Sequence, residues 1–240
     1  MPRNLPVKQI TAWSFSRYNT YRQCPYKAKL KFIDKLTEPS TPALERGSQI
    51  HQLAEDYLKG KLSRLPPELK AFGETFRALR KRYQKMVSGM TVEDTWAFTK
   101  EWDQTTWNDW ARCWVRIKLD CAHEEPGDVL IIRDWKTGKF RLPKVEEYVE
   151  QLELYALAAL LLFPHLKEVC PVLDFLDEAI EYPRPEDEPL IFTPADIPRL
   201  KKLWAKRVKP MLADKRFAPR PNDLCRFCHF RAANGGPCKY

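Results

Sequence analysis

Residues 128–139 read DVLIIRDWKTGK, and this stretch decides how the rest of the chain is understood. Val129 to Ile132 form a short apolar run rich in β-branched residues, and Thr137-Gly138 supplies a turn signal after it. Such a run predicts a buried strand. Side chains alternate along a strand, so Asp134 and Lys136 share a face. Charges at the end of an apolar strand are costly unless paired or bound to a metal. Either the strand ends at the surface in a plain ion pair, or it delivers a carboxylate and an ammonium into a site. The stretch alone does not choose between them.

Upstream, RCWVRIKLDCA (112–122) predicts a second strand with Asp120 near its end, and Glu124-Glu125-Pro126-Gly127 reads as the turn between the two. The pair is then an antiparallel hairpin. With the turn placed there, simple pairing leaves Asp120 and Asp134 a few residues out of line. Strand twist or a bulge is expected to bring them together. Downstream, Pro143 opens a helix over 145–163. Tyr148, Gln151 and Tyr155 lie on one face of it, pointing toward the strand ends or forming an ordinary polar boundary. A further strand is expected over 168–176. Five prolines in 182–198 argue for a loop, and a last helix over 193–212 is basic on one side.

Toward the N-terminus, 14–24 reads as a capped helix ending at Cys24-Pro25, continued by the basic amphipathic KAKLKFIDKL (27–36). Residues 37–43 form a loop. LERGSQIHQLAEDYLKG (44–60) has one apolar helical face, on whose border His51 sits; Glu55 shares its face. Such a histidine suits a core position or a ligand. Gly47 permits close backbone approach at the helix start. Residues 60–69 connect to a basic helical segment over 68–88, read as a solvated face. Trp96, Trp102, Trp107, Trp110 and Trp114 lie among basic residues in 91–119. Each can pack or stack on unpaired bases, and packing is the favoured reading.

The chain has 240 residues, 41 Lys and Arg against 32 Asp and Glu, and 44% apolar residues. These values fit a globular protein rather than a disordered one. The net charge of +9 favours a polyanion, nucleic acid foremost, as partner. The first ten residues carry no secretory signal, and the longest apolar run is too short to span a bilayer. The expectation is a soluble, cytoplasmic protein with no membrane partner. Of seven cysteines, Cys113, Cys121 and Cys170 read as small core residues. Cys24, Cys225, Cys228 and Cys238 lie in polar, turn-rich context, and four thiolates suit a zinc ion or an iron–sulfur cluster. Cys24 and Cys225 are far apart in the chain, so a metal bridging them closes a long loop and ties the ends together.

Two carboxylates on adjacent strands suit Mg2+ or Mn2+, and a neighbouring lysine suits charge developing on a phosphate. His51 as a further ligand favours Mn2+. The pattern Asp120…Asp134-Trp135-Lys136 resembles the signature of the PD-(D/E)xK nuclease superfamily, and DWKTGK resembles the DYKTG form of its RecB-like branch. Arg46-Gly47…His51 resembles that branch's RGxxxH helix, and Gln151…Tyr155 its QxxxY motif. Cys24 with the C-terminal cysteines resembles the staple of its iron–sulfur members, which include the AddB-type and CRISPR-associated RecB-like nucleases.

The resemblance spans 14–238. It implies an α/β restriction-endonuclease-like core with a central mixed β-sheet flanked by helices. Residues 1–240 would form a single nuclease domain, its core over about 44–215. Segments of about 14–36 and 216–240 would be tied together by the four-cysteine cluster. It implies His51, Asp120, Asp134 and the Trp135 carbonyl as metal ligands, Lys136 as the catalytic lysine, and Gln151 and Tyr155 orienting the site or touching DNA. Cys24, Cys225, Cys228 and Cys238 would hold a 4Fe–4S cluster, with zinc as the rival occupant and Cys238 the least regular in spacing. The function implied is a Mg2+- or Mn2+-dependent DNA exonuclease acting on single-stranded ends, in a bacterial, archaeal or phage setting. Homo-oligomers and helicase or recombination partners stay open. So do a DNA endonuclease and a non-catalytic nucleic-acid-binding subunit on the same fold.

Overall fold

The apolar run Val129–Ile132 does become a strand, near the middle of a six-stranded mixed sheet, in a computed structural model that describes residues 9–85 and 89–240. The readings of residues 1–8 and of the end of the basic segment at 86–88 lie outside the described residues. In chain order the strands are β1 (Met90–Phe98), β2 (Gln104–Thr105), β3 (Val115–Glu125), β4 (Val129–Lys136), β5 (Glu168–Phe175) and β6 (Ile180–Tyr182). Their order in the sheet is β2-β1-β3-β4-β5-β6; β4 and β5 are parallel and the other pairs antiparallel. This is an α/β architecture consistent with a restriction-endonuclease-like core.

The β3–β4 hairpin corrects the expected register. Glu125 pairs with Val129 and Cys121 with Arg133. The turn is therefore 126–128, with Gly127 (φ 93°) and Asp128 (φ 64°) in the left-handed region. Glu124 and Glu125 are strand residues, not turn residues. Continuing the register by one step sets Asp120 directly beside Asp134, so the pairing itself leaves no offset. A local distortion is nevertheless present. Val115, Ile117 and Leu119 pack into the larger apolar core, whereas Cys121 packs into the smaller one. Odd-numbered residues thus change face across Asp120. Its neighbour on β1, Glu93, has φ 53° and drops out of the ladder between Val92–Cys121 and Asp94–Leu119.

A parallel β4–β5 pair requires a crossover, which α5 (Leu142–Leu162) supplies. From Leu154 to Leu160 every residue of α5 is buried, because the sheet lies on one side and α6 (Ile197–Ala213) covers another. Leu200, Trp204, Val208 and Met211 form the buried stripe of α6. On the same core sits α1 (Phe15–Gln23), capped by Ser14, whose hydroxyl accepts from Arg17 N. Trp13 stacks on Trp204 with ring centroids 5.4 Å apart. Cys24 is extended (φ −158°, ψ 113°), as a residue before proline prefers, and it separates α1 from α2 (Pro25–Phe32). Lys27 and Lys31 of the basic continuation pair with Glu38.

The other sheet face is covered by α3 (Pro42–Leu58) and α4 (Gly73–Gln84), through Ile50, Ala54, Tyr57, Leu58, Phe76 and Leu79. The tryptophans divide: Trp96 and Trp102 are buried, whereas Trp110 is 78% exposed. Cys113 and Cys121 are core residues as expected, but Cys170 is half-buried because it lies on the face of β5 that lines a surface depression. No helix among the described residues is long and apolar enough to cross a membrane.

Candidate active site

The kink at Asp120 creates the site. Where the β3–β4 ladder stops, the backbone N–H of Trp135 donates instead to Asp120 Oδ2 at 2.7 Å. Asp120 Oδ1 is then free to meet His51 Nδ1 at 3.1 Å. His51 comes from α3, whose start is held against the β4 terminus. A Cβ on Gly47 would lie only 3.2 Å from Thr137 Oγ1. Arg46 grips Asp177 with both guanidinium nitrogens, at 2.8 and 2.6 Å, and reaches the Thr137 carbonyl at 3.3 Å. His51 Nε2 donates to the Trp135 carbonyl at 3.1 Å.

A residue not anticipated from the sequence completes this cluster. Glu93 Oε1 lies 3.4 Å from His51 Nδ1, and Oε2 lies 2.6 Å from Lys118 Nζ. Its positive φ belongs to the same kink that turns Asp120. His51, Glu93 and Asp120 each offer a donor atom within 4.8 Å of the other two. Burial opposes a charged imidazole, but hydrogen bonds to Asp120 and Glu93 outweigh it and raise the His51 pKa to about 10. Burial raises the Glu93 carboxyl, whereas His51 and Lys118 pull it down further, so it stays ionised.

Asp134 stands beside this trio, not in it. Its Oδ2 forms an ion pair with Lys136 Nζ on the neighbouring position of the same face. Burial pushes the Asp134 carboxyl above the ordinary carboxylate range against the pull of Lys136, and Asp120 adds to the push. Burial works against the charge on Lys136, but Asp134 and Asp120 hold its pKa above the ordinary lysine value. The ammonium also donates to Gln151 Oε1 at 3.2 Å and lies 4.2 Å from the Tyr148 ring centroid. Gln151 Nε2 donates to Tyr155 Oη, which donates to the Lys118 carbonyl at 2.7 Å. A continuous chain of bonds thus runs from β4 through α5 to β3.

All these groups line one open cleft of about 1040 Å³, with Ser16, Leu44 and Tyr148 at its sides. Glu55 lines it too, but bonds to Lys59 and Gln52 rather than to His51. The Trp135 ring contributes as well as its carbonyl. It is 1% exposed and packs on Phe76 and edge-on to His51, so it positions the imidazole as well. An imidazole with several carboxylate oxygens is a donor set suited to Mg2+ or Mn2+. A cationic lysine beside such a set can stabilise negative charge on a phosphate.

Past the C-terminal end of α1, Cys24, Cys225, Cys228 and Cys238 line a second cavity, of about 240 Å³, between the start of α2 and the tail. The Arg220 N–H donates to Cys24 Sγ at 3.5 Å and the Asn222 N–H to Cys225 Sγ at 3.4 Å. Asn222 Nδ2 bonds the Gln23 carbonyl at 3.1 Å, joining the two chain ends directly. Among the described residues, no three of the four sulfurs lie within 4.8 Å of one another.

The family described as the PD-(D/E)XK nuclease superfamily matches residues 12–233. No curated protein matches the chain in sequence. Among solved structures, a protein from Eubacterium rectale named "Putative exonuclease" is 14% identical, with a TM-score of 0.47 over 91% of this chain and 87% of its own. The protein SSO0001 is 16% identical, with a TM-score of 0.45 over 98% of this chain and 89% of its own.

Proposed function

The chain belongs to the PD-(D/E)XK nuclease superfamily, and from that premise we propose a divalent-metal-dependent exonuclease that hydrolyses DNA phosphodiester bonds from single-stranded ends. The observation that carries this reading is the convergence of His51, Glu93 and Asp120 on one point beside the Asp134–Lys136 pair, in an open cleft. His51, Asp120, Asp134 and the Trp135 carbonyl, joined by Glu93, would hold Mg2+ or Mn2+. The cation's contribution is to polarise the scissile phosphate and lower the pKa of a water. Lys136, kept charged by Asp134 and oriented by Gln151, faces the phosphate and offsets the charge that grows on it. Tyr155 fixes Gln151, and through it the ammonium.

The same reading assigns the four cysteines a structural 4Fe–4S cluster within a single nuclease unit. Two observations support it. The four cysteines line one cavity, and two of their sulfurs, those of Cys24 and Cys225, accept backbone N–H bonds. Among the described residues, no three of the four sulfurs lie within 4.8 Å of one another, whereas a tetrahedral zinc with Zn–S bonds of about 2.3 Å would hold all four roughly 3.8 Å apart. The test is anaerobic purification, a visible spectrum and metal analysis, then digestion of end-labelled single- and double-stranded DNA with Mg2+ or Mn2+. Brown protein with four irons that shortens single strands from an end supports the proposal. Colourless protein with one zinc replaces the cluster, and DNA binding without cleavage in either metal replaces the enzyme.

A further inference from the structure

Beyond the cleft, β3 carries a second concentration of unusual groups. Arg116 is 7% exposed, yet its Nη2 is buried with no hydrogen-bond partner among the described residues. Its Nε donates to the Trp107 carbonyl at 2.9 Å. Its guanidinium lies 4.5 Å from the Trp110 ring centroid and 5.6 Å from that of Trp107. Trp110 itself projects into solvent. The loop that presents it is well tied: Asp109 accepts from Thr105 Oγ1 at 2.8 Å, Arg112 Nε at 2.8 Å and Arg112 N at 3.1 Å, and Cys113 N bonds the Asp109 carbonyl at 2.8 Å. Arg17 Nη1 donates to the Ala12 carbonyl at 2.8 Å, and the next residue, Trp13, accepts from Arg116 N at 2.8 Å, so both arginines are anchored on the same short segment.

A fixed, exposed indole backed by an unsatisfied buried guanidinium, with a second arginine alongside, matches the two needs of a single strand. Bases stack on aromatic rings, and phosphates seek cations. The placement fits the cleft. Arg116 and Lys118 are two apart on β3 and share a face, and Lys118 already reaches Glu93 in the cleft. At about 3.3 Å per residue, Arg116 stands roughly 13 Å along the strand from Asp120, a reach of a few nucleotides.

We propose that Trp110, Trp107, Arg116 and Arg17 form a stacking subsite for single-stranded DNA that leads one strand into the cleft. This rests on the nuclease reading for the direction of the strand but not for the binding itself. The test measures binding of fluorescein-labelled oligo(dT) and of a blunt hairpin duplex to the full chain in EDTA, where no cleavage occurs. Trp110→Ala is expected to weaken oligo(dT) at least fivefold, the low end of one lost stack. It should leave the duplex within twofold, and Trp110→Phe should restore most of the loss. Arg17→Gln should lower the salt slope of oligo(dT) binding by about one. Oligo(dT) binding by Trp110→Ala at wild-type strength, or an equal loss on the duplex, overturns the subsite. A wild-type protein that never cleaves DNA yet shows these binding changes refutes the nuclease reading and keeps the subsite.

Discussion

Glu93 is the sharpest point at which to perturb the cleft, because Glu93→Gln removes a charge with almost no change of shape. Its carboxylate sits between His51 Nδ1 and Lys118 Nζ, and its side chain is 7% exposed. Two terms set the outcome. Lys118 is 61% exposed and can return to water, so the lost ion pair costs no more than about 1 kcal/mol of stability. His51 loses one of the two carboxylates that hold it, and any cation loses a donor. Losing one such partner typically weakens metal affinity or activity ~10–100-fold, about 1.4–2.7 kcal/mol. The assay is Mn2+ titration of EDTA-stripped protein by calorimetry, with a thermal melt of the same sample. Mn2+ affinity should fall at least tenfold while the melt barely moves. Glu55→Gln, whose parent residue bonds away from His51, should change neither. Mn2+ affinity within twofold of wild type in Glu93→Gln would refute the assignment of Glu93 to the metal group.

Three other outcomes follow from the same structure. Asp174 is 1% exposed and accepts two bonds from Arg133 Nη1, at 2.8 and 3.1 Å, behind the site. Asp174→Ala should cost about 3 kcal/mol, the low end for a broken buried pair because Glu181 still holds Arg133; this appears as a melt about 6–12 °C lower. Burial and the charges of Arg133 and Arg82 push the His123 pKa down to about 4. The unfolded chain therefore binds more protons between about pH 4 and 6.5, and the stability of neutral His123, full above that window, is lost as pH falls through it. Denaturant titrations at pH 7 and 5 should show His123→Gln losing about 2 kcal/mol less than wild type between them. Cys24→Ser should lower the metal content at the cysteine cavity and expose both chain ends to protease, while leaving Mn2+ affinity at the cleft unchanged.

How much of this was readable in the sequence depends on whether a feature is local. The strand β4 and the helices α3 and α5 follow from apolar runs and helical spacing within one segment, and their boundaries fall within a few residues. The strand β1 was not legible. TVEDTWAF mixes charges with aromatics, and its face inverts at Glu93, so no clean alternation exists to be read. The hairpin was legible but its centre was not. Glu124-Glu125 looks like a turn by polarity, whereas Arg82, reaching the Glu124 carbonyl and the Glu125 carboxylate, holds both in the strand. The same shift hid the direct juxtaposition of Asp120 and Asp134. Glu93 could not be singled out because its meeting with His51 and Asp120 joins three segments through a backbone kink. The tryptophans carried no local mark of burial either; the loop geometry set by Asp109 decides that Trp110 faces water.

The most direct test of the account is hydrolysis of 5′- and 3′-end-labelled single-stranded DNA by wild type and Lys136→Met with Mn2+, each checked for folding by its melt and for DNA binding in EDTA. Methionine keeps the length of the lysine stem against Tyr148 and removes the charge. Wild type is expected to shorten the strand from an end, while Lys136→Met binds as tightly and cleaves at least a hundredfold more slowly. Cleavage by Lys136→Met at the wild-type rate would contradict the role given to the DWKTGK strand.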